Sequence, residues 1–150
     1  MSVGKICVHT VVTGRADEPV DAAARRMLQY NVGTLMILED KTPIGILTDR
    51  DLVLRVMAQG KVPHETMVRT VMSGNLVTVP DYTPLEDAMN LMRGYQIRRL
   101  VVVNDKRELV GIFSLDDMLE LLGEEQAAIA GLLRSVTILR ESASSQSPSL

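Results

Sequence analysis

PVDAAARRMLQYNVGTLMILEDK (Pro19–Lys41) and PLEDAMNLMRGYQIRRLVVVNDK (Pro84–Lys106) lie 65 residues apart and align without a gap. Pro19/Pro84, Ala23/Ala88, Met27/Met92, Tyr30/Tyr95, Leu35/Leu100, Asp40/Asp105 and Lys41/Lys106 are identical pairs. One inserted residue then moves the offset to 66, and GILTDRDL (Gly45–Leu52) lies over GIFSLDDM (Gly111–Met118). Upstream, Val12-Thr13 pairs with Val77-Thr78. Self-similarity at a fixed period marks a repeated structural unit, and two copies of a unit of about 60 residues fill most of the chain.

Each copy reads the same way. A short extended piece (Val11–Thr13, Leu76–Val79) is followed by a polar turn and a proline near a helix start, where its missing N–H costs little. Ala22, Ala23, Met27 and Tyr30 share one helical face, as do Ala88, Leu91, Met92 and Tyr95. Two apolar runs follow in each copy, Leu35–Leu38 with Ile44–Leu47 and Leu100–Val103 with Leu109–Phe113. Polar turns at Glu39–Thr42 and Asn104–Arg107 join them, so each pair reads as a hairpin. A second helix closes each unit, over about Arg50–Gln59 and from Leu115 onward. The fold class is therefore α/β (α+β), two β-α-β-β-α repeats packed about an approximate two-fold axis. A unit this small is marginal alone, and pairing the two sheets would bury their Val/Ile/Leu faces. The expected divisions are 6–62 and 68–122 for the two copies, with residues 60–70 as connector. A helical extension at 123–140 and a disordered tail at 141–150 follow. In the extension, Ile129, Leu132, Leu133 and Val136 form an apolar stripe that needs a cover, and a second copy of the chain is the expected one.

Composition excludes several classes. Net charge is −3, from 16 basic and 19 acidic residues, and aromatics make up 3%. That argues against a general nucleic-acid binder, whose affinity comes from neutralising phosphates. Cys7 is the only cysteine, so neither an intrachain disulfide nor a thiolate metal cluster can form. It aligns with Met72 and reads as a small buried hydrophobe. His9 and His64 lack metal-ligand spacing. No P-loop, G-x-G-x-x-G or Gly-x-Ser-x-Gly occurs, and the expectation is no enzyme. No apolar run approaches the ~20 residues of a membrane span, and a cytoplasmic location is expected. Against the net charge, the stretch from Arg93 to Arg107 is basic, with Arg93, Arg98, Arg99, Lys106 and Arg107 against Asp105.

The doubled segments Gly45-Ile46-Leu47-Thr48-Asp49-Arg50-Asp51 and Gly111-Ile112-Phe113-Ser114-Leu115-Asp116-Asp117 carry G-h-h-[ST]-x-x-D, where h is apolar, after the last strand of each copy. A doubled motif within a doubled topology resembles the tandem cystathionine-β-synthase (CBS) domain pair, over about residues 6–122. The resemblance implies a regulatory module that binds AMP, ADP or ATP in clefts between the two copies and modulates a partner protein, commonly as a homodimer. S-adenosylmethionine or NAD is the alternative ligand, and a ligand-free dimerising scaffold the alternative role.

The motif has a plain reading as well, since [ST]-x-x-[DE] is a capping box at a helix start. Thr48 or Ser114 at the N-cap would leave helix N–H groups for a phosphate. Asp51 or Asp117 could accept hydrogen bonds from ribose hydroxyls. Asp49 and Asp116 complete acid pairs at these helix starts, where acids also complement the helix dipole. Arg98 and Arg99 stand where the family places phosphate-binding residues, and guanidinium suits bidentate phosphate contact. The first copy has Gly33 and Thr34 there, with Arg50 as a compensating cation, so the two sites should be unequal. The resemblance places adenine recognition at backbone groups of Val12, Thr13, Val77 and Thr78.

Overall fold

In chain order the elements are α1 (Val3–Ile6), β1 (Thr13–Arg15), α2 (Val20–Tyr30), β2 (Thr34–Glu39), β3 (Thr42–Thr48), α3 (Asp49–Leu52), α4 (Val68–Val71), β4 (Thr78–Pro80), α5 (Leu85–Tyr95), β5 (Arg99–Val103), β6 (Leu109–Ser114) and α6 (Leu115–Ser145). The computed structural model describes the backbone of residues 1–145 and the side chains of residues 1–136. Pro19 and Pro84 adopt extended angles as N-caps of α2 and α5, and both helices end in a left-handed residue, Asn31 (φ 51°) and Gln96 (φ 53°). The equivalence of the two copies thus reaches single backbone angles.

Residues Met1–Ser114 form one unit. Within it, each copy builds a three-stranded sheet, β1-β2-β3 and β4-β5-β6, with the first pair parallel and the hairpin antiparallel. Register irregularities fall at the equivalent Ile37/Leu38 and Val102/Val103. The first strands sit slightly later than the apolar pattern suggests. Val12 and Val77 instead lead into them, with their carbonyls accepting the Met36 and Val101 N–H groups, both at 3.0 Å.

Strand alternation divides the apolar residues between two cores. Leu35, Ile37 and Leu47 turn to Val20, Ala23 and Met27 of α2. Met36 points the other way and is buried with Val101 and Val103, flanked by Ile46 and Ile112. This second cluster joins the sheets of the two copies, as the sequence predicts.

The segments before each first strand cross over to the opposite copy. The Val3 and Gly4 N–H groups donate to Thr83 and Asp81 of the second copy, and Val8 exchanges two hydrogen bonds with Ile112. In return Val68 and Arg69 donate to Glu18 and Ala16 of the first copy, and Ser73 exchanges two with Ile46. Val68, from the stretch read as connector, and Val71 just past it are fully buried members of the first copy's core.

This exchange explains the motif glycines. A Cβ on Gly111 would lie 2.5 Å from the Val8 carbonyl oxygen and 2.8 Å from Cys7 Sγ. On Gly45 it would meet Met72 Sδ at 2.6 Å and the Ser73 oxygen at 3.1 Å. The crossing segment runs where a side chain would stand.

The second helix of the first copy is shorter in α form than its pattern predicts. α3 gives way to a π-helical turn, Val53–Met57, and the chain leaves through Gly60 at φ 65°. The second unit begins at Leu115 with α6, whose first turn holds Asp116 and Asp117. The helix continues through Ser145, past the expected end near residue 140. The expected tail beyond Ser145 lies outside the described residues.

Candidate functional site

In the first copy, β3 delivers Thr48 opposite Thr34, and α3 begins at once. Asp51 N–H donates to Thr48 Oγ1 at 3.2 Å, and Thr48 N–H donates to Asp51 Oδ2 at 2.9 Å. The capping box is therefore closed. The other Asp51 oxygen lies 3.8 Å from Arg55 Nε, and Arg55 Nη1 donates to the Val71 carbonyl at 2.8 Å. Asp51 is thus held from both sides and tied to α4. Asp49 N–H donates to the Gly33 carbonyl at 2.9 Å, and a Cβ on Gly33 would touch Asp49 Oδ2 at 2.9 Å. A carboxylate therefore occupies the space beside Gly33. Arg50 follows on the exposed side of α3.

Val12 and Thr13 line a cavity of about 340 Å³ together with Thr10, Val11, Arg26 and Tyr30. Arg26 and Tyr30, one turn apart on α2, were not anticipated as site residues. Arg26 is not available as a lone cation. Both its terminal nitrogens donate to the Glu18 carboxylate, Nη2 to Oε2 at 2.9 Å. That hydrogen-bonded pair holds the Glu18 carboxyl below its usual range and raises Arg26. On the far side of Arg26 a larger cavity, about 560 Å³, opens among Arg15, Arg69, Asp17, Glu39 and Asp40, a wall of mixed sign.

The second copy differs. Val77, Arg98 and Arg99 line one cavity of about 250 Å³ with Asn75, Leu76 and Ile97, floored by Ile46 and Val101. Three expected site residues thus converge, and Ile46 reaches in from the first copy's sheet. Arg99 pairs across the strands with Ser114, where the first copy pairs Thr34 with Thr48. Thr78 instead lines a separate cavity of about 620 Å³ with Tyr82, Asp105 and Arg107. Asn75 and Ile97 were missed in the sequence because neither has a charge or motif to mark it. Asp116 and Asp117 open α6 in the other unit.

A protein-family model described as the CBS domain matches residues 3–58 and 68–124. The chain belongs to the CBS-domain family. Pairs of CBS domains are in general regulatory rather than catalytic. An uncharacterized protein of Methanopyrus kandleri is 38% identical over 122 residues, which cover 81% of this chain and 62% of that one. The chain therefore spans less than two thirds of that relative's length. Among solved structures, the CBS domain pair of protein MJ0100 in complex with 5′-methylthioadenosine and S-adenosyl-L-methionine superposes with a TM-score of 0.68 at 25% identity, covering 83% of this chain and 98% of that one. The CBS domain protein PAE2072 of Pyrobaculum aerophilum, complexed with AMP, gives 0.66 at 26% identity, covering 82% and 99%. Among the described residues no helix of the CBS pair is long and apolar enough to cross a membrane, and no group of three or more His, Cys, Asp or Glu residues could hold a metal ion.

Proposed function

We propose that this CBS pair is a regulatory module that takes AMP, ADP or ATP with the phosphates at Arg98 and Arg99, works as a homodimer, and passes the binding event to a partner protein. The observation that carries the reading is the convergence of Arg98, Arg99 and the Val77 lead-in on one small cavity. At about 250 Å³ it is just below the roughly 300–1,000 Å³ typical of small-molecule sites, which suits a nucleoside body with its phosphates projecting outward. The solved CBS pairs bound to AMP and to adenosyl ligands support the adenine assignment. A ligand seated against residues of both copies can bias their relative pose only by binding one pose more tightly than another. Ile46 of the first copy supplies such a differential contact in the second copy's cleft.

Arg98→Glu with Arg99→Glu is the test, read by titration calorimetry with ATP and adenosine in parallel. Charge-assisted hydrogen bonds contribute about 1.5–3 kcal/mol each, so ATP affinity should fall by about a hundredfold or more while adenosine binding changes little. Equal losses for both ligands would remove the phosphate role. No binding of any adenine nucleotide to the wild type would remove the reading altogether.

A further inference from the structure

α6 carries Leu115, Leu119, Leu122, Gln126, Ile129, Leu133 and Val136, separated alternately by four and three residues. That alternation is a period of 3.5. An ideal straight helix drifts from such a repeat by about 20° per heptad, so over three heptads the seam turns by roughly 60° on a straight helix and stays in line if the helix supercoils around another helix. The seam faces water: Leu119 is 57% exposed, Leu122 44%, Ile129 59% and Val136 39%, with the adjoining Leu132 at 65%. From Leu115 to Val136 the helix runs about 32 Å at ~1.5 Å per residue, and three heptads is the length at which the pattern distinguishes a coiled coil.

The flanking positions say what lies across the seam. With Leu119, Gln126 and Leu133 at a and Leu115, Leu122, Ile129 and Val136 at d, the e positions are Asp116, Gly123 and Ala130 and the g positions are Met118, Glu125 and Leu132. Two of these six flanking sites are charged, Asp116 at the start of the helix and Glu125. In a parallel pair of identical helices, Glu125 would face Ala130 of the other chain, so no like charges meet. Gln126 would face itself, amide to amide, and one polar residue at a is a known way to set register and helix number.

We propose that α6 forms a parallel, in-register two-stranded coiled coil with α6 of a second copy, through the Leu119–Val136 seam. This rests on the homodimer in the proposed function and specifies its surface. Light scattering and oxidative cross-linking of the full chain test it. The wild type should be a dimer, and Leu119→Cys should give a covalent dimer on mild oxidation, because only parallel pairing sets residue 119 against itself. Wild type with its buried Cys7 is the control and should not cross-link. Ile129→Asp with Leu133→Asp should weaken dimerisation at least a hundredfold while nucleotide titration is retained. Gln126→Lys, which keeps a good helix former, should weaken it about tenfold and recover in high salt, since two ammonium groups would then face each other. A dimeric Leu119→Cys chain that does not cross-link overturns the parallel seam. An aspartate or lysine variant as dimeric as wild type moves the dimer to another face and leaves the homodimer reading standing. A monomeric wild type overturns both.

Discussion

Thr34 opposite Thr48 in the first copy, and Arg99 opposite Ser114 in the second, occupy matched rungs of matched hairpins. Backbone angles, bulges and the exchange of leading segments agree between the copies, yet the side chains beside these rungs differ. Gly33 has the Asp49 carboxylate against it, whereas its counterpart Arg98 is a cation and the counterpart of Asp49 is Leu115. Arg26, the cation nearest the first lead-in, is neutralised by Glu18. Their counterparts in the second copy, Leu91 and Thr83, make no such pair. The repeat preserves what the fold requires and lets vary what a ligand would feel. On the proposed reading, an anionic ligand would distinguish two clefts whose backbones are alike.

That comparison breaks first at the motif glycines. Gly111→Ala drives a Cβ into the Val8 carbonyl, which is backbone and cannot move aside, and overpacking of this kind costs about 1–3 kcal/mol. Gly45→Ala meets mainly the Met72 thioether, a flexible side-chain end, and should cost less than about 1 kcal/mol. Urea denaturation midpoints compare the two directly. Equal losses would mean that the two crossings are equally rigid.

A smaller effect sharpens the charge contrast. Gly33→Arg with Asp49→Leu gives the first cleft two of the residues that the second carries at the matched positions. ATP should then bind there about tenfold more tightly, roughly 1.4 kcal/mol, with adenosine unaffected. Calorimetry should show this as a second ATP site. An unchanged isotherm would mean that charge beside these rungs does not govern binding.

The smallest expected effect concerns the Arg26–Glu18 pair. Glu18→Gln should destabilise the chain at pH 7 by about 1 kcal/mol, since a part-buried guanidinium loses its charged partner. The folded-state pKa of Glu18 is depressed, so its contribution is present above the unfolded value of about 4.3 and is lost as pH falls through the lower folded value. Wild type and Glu18→Gln should therefore converge in stability as pH falls through that lower folded value. A gap that persists into acid would assign the loss to packing.

The two repeats, their helices and hairpins, and the basic strand entry at Arg98-Arg99 were legible because each is a local signal: periodicity, turn composition, adjacent charge. Thr48 and Asp51 were legible as a capping box, which is what they form. The exchange of α1 and α4 between copies was not. Its evidence is backbone hydrogen bonding between residues far apart in sequence, such as Val3 to Thr83 and Val68 to Glu18, and backbone carries no residue signature. The same exchange turns the motif glycines from a family letter into a steric requirement.

The charge state of the first cleft also needed the fold. Arg26 and Glu18 are eight residues apart across a turn and a helix start, and Asp49 meets Gly33 only after the hairpin closes. The sequence by itself determined two equivalent units and which of them carries arginines at the entry to its central strand, because those properties are written in local order. Only the tertiary structure decided which segments complete each unit and that Arg26 is paired with Glu18 while Asp49 lies against Gly33, because both depend on contacts that chain closure creates.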